Sequence, residues 1–170
     1  MKSIDVANAF IAWHGHEIEI TNLKLNKLVY YAHVESIRRG CGPLFDDAVE
    51  AWQYGPVEPA VYHAFKANGK RRIEQPSSKP KASDSVGEIV SSVSKTYGRL
   101  SAFDLVTFSH REGGAWSRVY SPGTDRPITI ADIMSSDDIN GFPGIDDTIV
   151  SAIDDVTKSI PNTLRLLENS

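Results

Sequence analysis

The 170-residue chain has a single cysteine, Cys41, which excludes an intrachain disulfide framework and fits a reducing cytoplasm. It has no apolar run near the roughly 20 residues that cross a bilayer, so a membrane-spanning helix is not expected. It also lacks cationic excess: 18 Lys and Arg stand against 22 Asp and Glu, for a net charge of -4. That balance gives no general attraction to nucleic acid or membrane. Zinc spacing is missing, since His14 and His16 lie two apart and point to nearly opposite sides of a helix. The acidic stretch Asp137-Asp138-Ile139-Asn140-Gly141, with Asp146-Asp147 beyond it, has neither alternating oxygen ligands nor a closing glutamate. It reads as a solvated, helix-capping loop, and neither metal nor cofactor is expected. The first residues have no basic start and no unbroken apolar core, so a secretory leader is not expected either. They alternate Ile4, Ala7, Ile11 and Val6, Phe10, Trp13 with Asp5, Asn8 and His14. No internal repeat is visible.

What remains predicts an α+β fold, a mostly α-helical single domain with a small antiparallel sheet or hairpin. A chain of this length buries roughly two-thirds of its unfolded surface. Leu25, Leu28, Val29 and Ala32 recur at i, i+3, i+4 and i+7 on a helix capped by Thr21 and ended by Gly40. Asn26, Tyr30 and His33 form a polar-aromatic stripe beside them. Lys24, Lys27, Tyr31, Glu35 and Arg38 form a face expected to be solvated, on a helix otherwise buried and central. Val49 and Ala51 alternate with Glu50, Trp52 and Tyr54 as a strand that Gly55 and Pro56 are expected to stop. Pro59 opens a helix running to about Asn68 before Gly69, with Val57, Val61 and Phe65 inward.

Residues 70–81 have turn composition and no periodicity, so they read as a surface connection. A helix follows from Asp84 or Ser85, with Ser85 and Glu88 spaced as a capping box, and carries Val86, Val90, Val93 and Tyr97 inward to Gly98. Ser101 with Asp104, and Thr129 with Asp132, repeat that spacing. Pro122 to Asp125 predicts a turn, and a second strand is expected within 120–128. Ile149, Ile153, Val156 and Ile160 predict one more helix in the tail.

Three cassettes carry a resemblance. They are Leu25-x-Lys27-Leu28-x-Tyr30-Tyr31, then Ala51-Trp52-x-Tyr54-Gly55-Pro56-Val57-x-Pro59 after Leu44-Phe45, and finally Tyr97-Gly98, Leu105, Ser109-His110-Arg111-Glu112 and Trp116. In this order, over about residues 4–135, they resemble the Panacea domain of prokaryotic and phage antitoxins, a group that includes GepA-like phage-associated proteins and SocA-like proteolysis adaptors. Asn26 stands where Gln is usual and Ser109 where Thr is usual; both keep the hydrogen-bonding type. The resemblance implies a Panacea-like domain over 1–135 and a helical extension over 136–170, packed on that domain or continuing it. It also implies a cytoplasmic, non-enzymatic protein that binds and neutralises a toxin from a neighbouring gene, either by occluding the toxin or by delivering it to an ATP-dependent protease.

Within that frame Leu25, Lys27, Leu28, Tyr30, Ala51, Gly55, Pro56, Val57, Pro59, His110 and Trp116 are the motif residues expected to be structural. The expected partner contacts are Tyr31, Trp52, Tyr54 and Tyr62, together with Lys70, Arg71 and Arg72 of the basic loop. Tyr31 has a second reading, a ring folded over a neighbouring element; Trp52 and Tyr54 lie on a natural docking surface if their strand is an edge, and in the core if a helix covers it. His110 shares a helical face with Phe103, Val106 and Thr107, and is read as a core histidine because no nucleophile or orienting carboxylate has a defined spacing to it. Two alternatives stand beside the antitoxin reading. A hydrolase requires His110 and Glu112 to line one pocket, and a DNA-binding regulator requires the basic loop and a helix to form one continuous face. No aromatic residue interleaves that loop, so nucleic acid is not the expected partner.

Overall fold

The fold is assembled around one helix. In the computed structural model, which describes residues 1–141, α2 (Asn22–Arg38) is preceded by α1 (Ser3–His14). A hairpin follows, made of β1 (Val49–Trp52) and β2 (Gly55–Val57). Next come α3 (Pro59–Phe65), extended by a 3-10 turn at Lys66–Asn68, and α4 (Asp84–Tyr97). The order ends with α5 (Ala102–Ser109), α6 (Ala115–Val119), β3 (Arg126–Ile128), α7 (Ile130–Met134) and a 3-10 turn at Asp137–Asn140. The tail helix expected around Ile149 to Ile160 lies outside the described residues.

Helix α2 starts where Thr21 accepts a hydrogen bond from the Lys24 amide and ends at Arg39. It packs against α1, α3, α4, α5, β2, α7 and the final 3-10 turn, so little of its circumference meets water. The face expected to be solvated is buried over its first half: Lys24, Lys27 and Tyr31 are 5%, 0% and 2% exposed. Neighbouring elements account for this. Lys24 Nζ donates to the Gly98 carbonyl at the end of α4 (2.8 Å). Tyr31 stacks on Tyr97 of α4, with centroids 4.5 Å apart and planes 7° apart, and lies 5.5 Å from Phe108 of α5. Only Glu35, with Arg38 and Arg39 paired to it, reaches solvent as expected.

The three strands form an antiparallel sheet in the order β2-β1-β3. The first strand ends at Trp52 and Gln53-Tyr54 turn the chain back, so Gly55-Pro56, expected only as a stop, opens a second strand, Gly55–Val57, with Pro56 opposite Ala51. Proline is tolerated there because β2 is an edge strand. Gly55 has φ +105°, a conformation that favours glycine.

Helices α3, α4, α5 and α7 follow their sequence signals closely. Val61, Phe65, Val86, Val90, Val93 and Leu105 are buried, and Ser101/Asp104 and Thr129/Asp132 form capping boxes. The Ser85/Glu88 box does not form, because α4 starts one residue after Ser83, whose hydroxyl lies 2.8 Å from that of Ser85. The connection over 70–81 is irregular but held down. Ile73 is 1% exposed and its amide donates to the Ile20 carbonyl (2.8 Å), while the Ser77 amide donates to Asn8 Oδ1 (2.9 Å).

Candidate protein-docking site

The polar stripe of α2 points at the hairpin and the start of α3. Asn22 Nδ2 donates to the Tyr62 carbonyl (3.2 Å), Asn26 Oδ1 accepts from the Glu58 amide (3.3 Å), and Lys27 Nζ donates to the Pro56 carbonyl (2.8 Å). From the other side Trp116 Nε1 donates to the Trp52 carbonyl (2.8 Å). Four side chains from two helices therefore grip the backbone of one eleven-residue segment, Trp52 to Tyr62. Each bond satisfies a backbone or side-chain group that burial would otherwise leave unpaired.

That segment carries three of the expected contacts on its outward side. Along β1, Val49 and Ala51 are buried while Glu50 and Trp52 are half-buried, as the two-residue period of a strand requires. The Trp52 ring meets Tyr62 edge-on at 5.0 Å and has His63 at 6.5 Å. Its indole N–H donates to Glu50 Oε2 (2.7 Å). Tyr54 is half-buried at the turn between the strands. The structure thus brings Trp52, Tyr62 and His63 together, with Tyr54 at the adjacent turn. Tyr31 is removed from this group, since its ring is a core ring.

Lys70, Arg71 and Arg72 are exposed. Arg71 donates to the Asn68 and Ala67 carbonyls and Arg72 to that of Gly15, which ties the loop to the end of α1.

Behind the hairpin lies a buried polar cluster. Lys27 and Glu58 are both fully buried, so desolvation pulls the ammonium pKa down and pushes the carboxyl pKa up, each shift offset in part by the other charge. Neither Glu58 carboxyl oxygen has a hydrogen-bond partner. His110 stacks on Trp116 with centroids 3.6 Å apart and planes 2° apart, and Trp116 in turn stacks on Tyr120. Burial, with the Lys27 charge adding to it, holds the His110 pKa down at about 3. His110 is thus buried against Trp116 while Glu112 is exposed, which removes the pairing of these two residues in one solvent-filled pocket.

A second polar cluster sits further along α2. Asp138 accepts from the Tyr30 hydroxyl (2.6 Å) and the Ala115 amide (3.0 Å) and pairs with Arg111 (2.8 Å). The acidic stretch expected to be solvated therefore has a buried member, and the preceding Gly113-Gly114 accommodates it. A Cβ on Gly113 would fall 2.0 Å from Asp137 Oδ2. Sequence reasoning missed Asn22, Glu58 and Asp138. The stripe of Asn26, Tyr30 and His33 was the available signal for the polar side of α2; nothing local marks Asp138, whose partner Tyr30 lies 108 residues away. Among the described residues no cluster of His, Cys, Asp or Glu is arranged to hold a metal, and no helix is long and apolar enough to cross a membrane.

The motif residues that build both clusters also carry the likeness to known proteins. The profile of the family described as "Antitoxin SocA-like, Panacea domain" matches residues 25–117, the span from the start of the α2 motif to Trp116. The chain belongs to the SocA-like Panacea-domain antitoxin family. It is 34% identical over 158 residues to the protein named Antitoxin SocA of Caulobacter vibrioides (strain NA1000 / CB15N), covering 80% of this chain and 84% of that relative. No solved structure matches the chain. Of the motif residues, Lys27 is bonded to the Pro56 carbonyl and His110 is stacked on Trp116 behind the hairpin, while Trp52 is half-buried on the opposite side of β1 from Ala51.

Proposed function

We propose that this protein is a cytoplasmic antitoxin that binds a protein toxin encoded by a neighbouring gene, and that it does so through the aromatic face of the hairpin. The observation that carries the reading is the pairing of a half-buried Trp52/Tyr62 contact, flanked by His63, with a backbone clamped from behind by Asn22, Asn26, Lys27 and Trp116. Large amphipathic rings on a preorganised backbone suit a binding anchor, because little freedom remains to be lost on association. Lys70, Arg71 and Arg72 flank this face in sequence and add a cationic contribution to encounter with an acidic region of the toxin. Occlusion of the toxin by a stoichiometric complex follows from such a surface; delivery of the toxin to an ATP-dependent protease is the second mode of neutralisation open to the family.

The test is a growth assay with the neighbouring reading frame expressed alone and together with this protein, followed by co-purification. Rescue with a stoichiometric complex is the expected result. Rescue with disappearance of the toxin marks the protease route, and absence of both toxicity and complex overturns the reading. Trp52→Ala and Tyr62→Ala, with folding intact, are each expected to weaken the complex by about 2 kcal/mol, a factor of roughly 30.

A further inference from the structure

We infer that Lys27 is a positioning residue for toxin recognition: its side chain, lying beneath Gly55 and bonded to the Pro56 carbonyl, sets how the hairpin presents Trp52. The inference rests on the docking role proposed for that face. Its ground is geometric. The Lys27 stem passes so close under the turn that a Cβ on Gly55 would fall 2.8 Å from Lys27 Cε and 3.0 Å from Nζ, and 2.5 Å from Ser109 Oγ. The hairpin backbone therefore rests directly on the lysine, with Ser109 of α5 as the second support. The terminal nitrogen then fastens what the stem supports, through the 2.8 Å bond to the Pro56 carbonyl.

A lysine is a poor choice for packing alone. Its side chain is fully buried, and burial holds the neighbouring Glu58 toward its neutral form, so an apolar residue of similar volume at position 27 leaves no ionised partner stranded. Met has nearly the same length and would fill the space under Gly55 without desolvating an ammonium. What Met lacks is the donor. The bond to Pro56 is thus the property that distinguishes Lys27 from a better filler, and its acceptor lies one residue beyond the turn that follows Trp52. Pro56 has no N–H of its own, and β2 is an edge strand, so a side-chain anchor compensates for weak pairing at the place where the docking face is built.

The experiment compares wild type with Lys27→Met on the full chain, using the toxin defined by the growth assay. Three quantities are measured: the urea midpoint, amide hydrogen exchange from Trp52 to Glu58, and the dissociation rate of the complex. The expected result is a midpoint equal to or above wild type, faster exchange confined to the hairpin, and dissociation about tenfold faster. A wild-type dissociation rate in folded Lys27→Met overturns the inference. So does a faster rate accompanied by a proportionate fall in the midpoint and uniformly faster exchange, which would mark a purely structural role.

If Lys27→Met does not fold, Gly55→Ala reaches the same contact from the hairpin side. Unchanged dissociation of folded Gly55→Ala overturns the inference equally. Trp52→Ala keeps the two levels apart. Should it leave affinity unchanged, the docking face itself is wrong and Lys27 has nothing to position; should it weaken binding while Lys27→Met does not, only the role of Lys27 falls.

Discussion

Asp138 and Glu58 are both buried carboxyl groups packed against α2, yet their surroundings are opposite. Asp138 receives the Tyr30 hydroxyl, the Ala115 amide and the Arg111 guanidinium. Glu58 has no hydrogen bond to either oxygen, and the nearby ammonium of Lys27 is spent on the Pro56 carbonyl. A saturated carboxylate acts as a fastener, because removing it strands several partners at once. An unsaturated one burdens the fold and favours its protonated form, as burial pushes the Glu58 pKa up. The fastener holds the last described turn to the helix; the burden lies directly behind the hairpin proposed to meet the toxin. Stability and the proposed recognition thus fall to neighbouring turns of one helix, at Tyr30 and at Lys27.

The comparison is broken most forcefully at Asp138. Asp138→Ala leaves Arg111, Tyr30 and the Ala115 amide without their acceptor, and a loss of about 3–5 kcal/mol is expected from the urea midpoint. Removing one spoke tests whether the cluster is shared. Tyr30→Phe deletes a single bond to a charged acceptor and is expected to cost about 1.5–3 kcal/mol by the same measurement.

A pH series sharpens the picture on the hairpin side. Burial lowers the pKa of His110 to about 3 and that of His33 to about 4, from an ordinary 6.5. Both are depressed, so their contribution is complete above pH 6.5 and is lost as the pH falls, because the unfolded chain binds protons that the fold refuses. Between pH 6 and 5 each histidine should steepen the fall by up to ~1.4 kcal/mol per pH unit. Wild type and His110→Gln, compared by urea midpoint across that interval, should differ in slope by close to one proton.

The smallest effect belongs to Glu58. Since its buried carboxyl favours the proton, Glu58→Gln is expected to change stability at pH 7 by less than about 1 kcal/mol. A loss as large as that of Asp138→Ala would erase the contrast between the two sites.

The pattern of successes in reading the sequence follows the range of the interactions involved. Caps at Thr21, Ser101 and Thr129 were legible because donor and acceptor lie within three residues. That Trp52 shares a side with Glu50 was legible because strand alternation is local; that their strand is the central one rather than an edge was not, because it depends on pairing with β3 more than seventy residues on. Lys27 and Tyr31 depart from the solvated face expected for charged helix positions because the hairpin and α5 cover Lys27, and α4 and α5 cover Tyr31. Pro56 was misread as a stop because only the sheet order reveals that its strand is an edge. The proposed docking group is partly legible in the sequence: Trp52 and Tyr62 meet, Tyr31 instead folds over α4 and α5 as its second reading has it, and the supports at Asn22 and Glu58 act through backbone bonds that leave no pattern in composition.

The bond between Tyr30 and Asp138 also sets a clock for synthesis. The two residues are 108 positions apart, and at roughly 5–20 residues per second a ribosome needs about 5 to 20 seconds to travel from one to the other. During that interval the emerging chain adds the rest of its central helix and its hairpin while still lacking the carboxylate that receives the Tyr30 hydroxyl. A nascent chain interrupted before Asp138 is therefore born unfinished, and quality control has a window in which to tell it from a completed one.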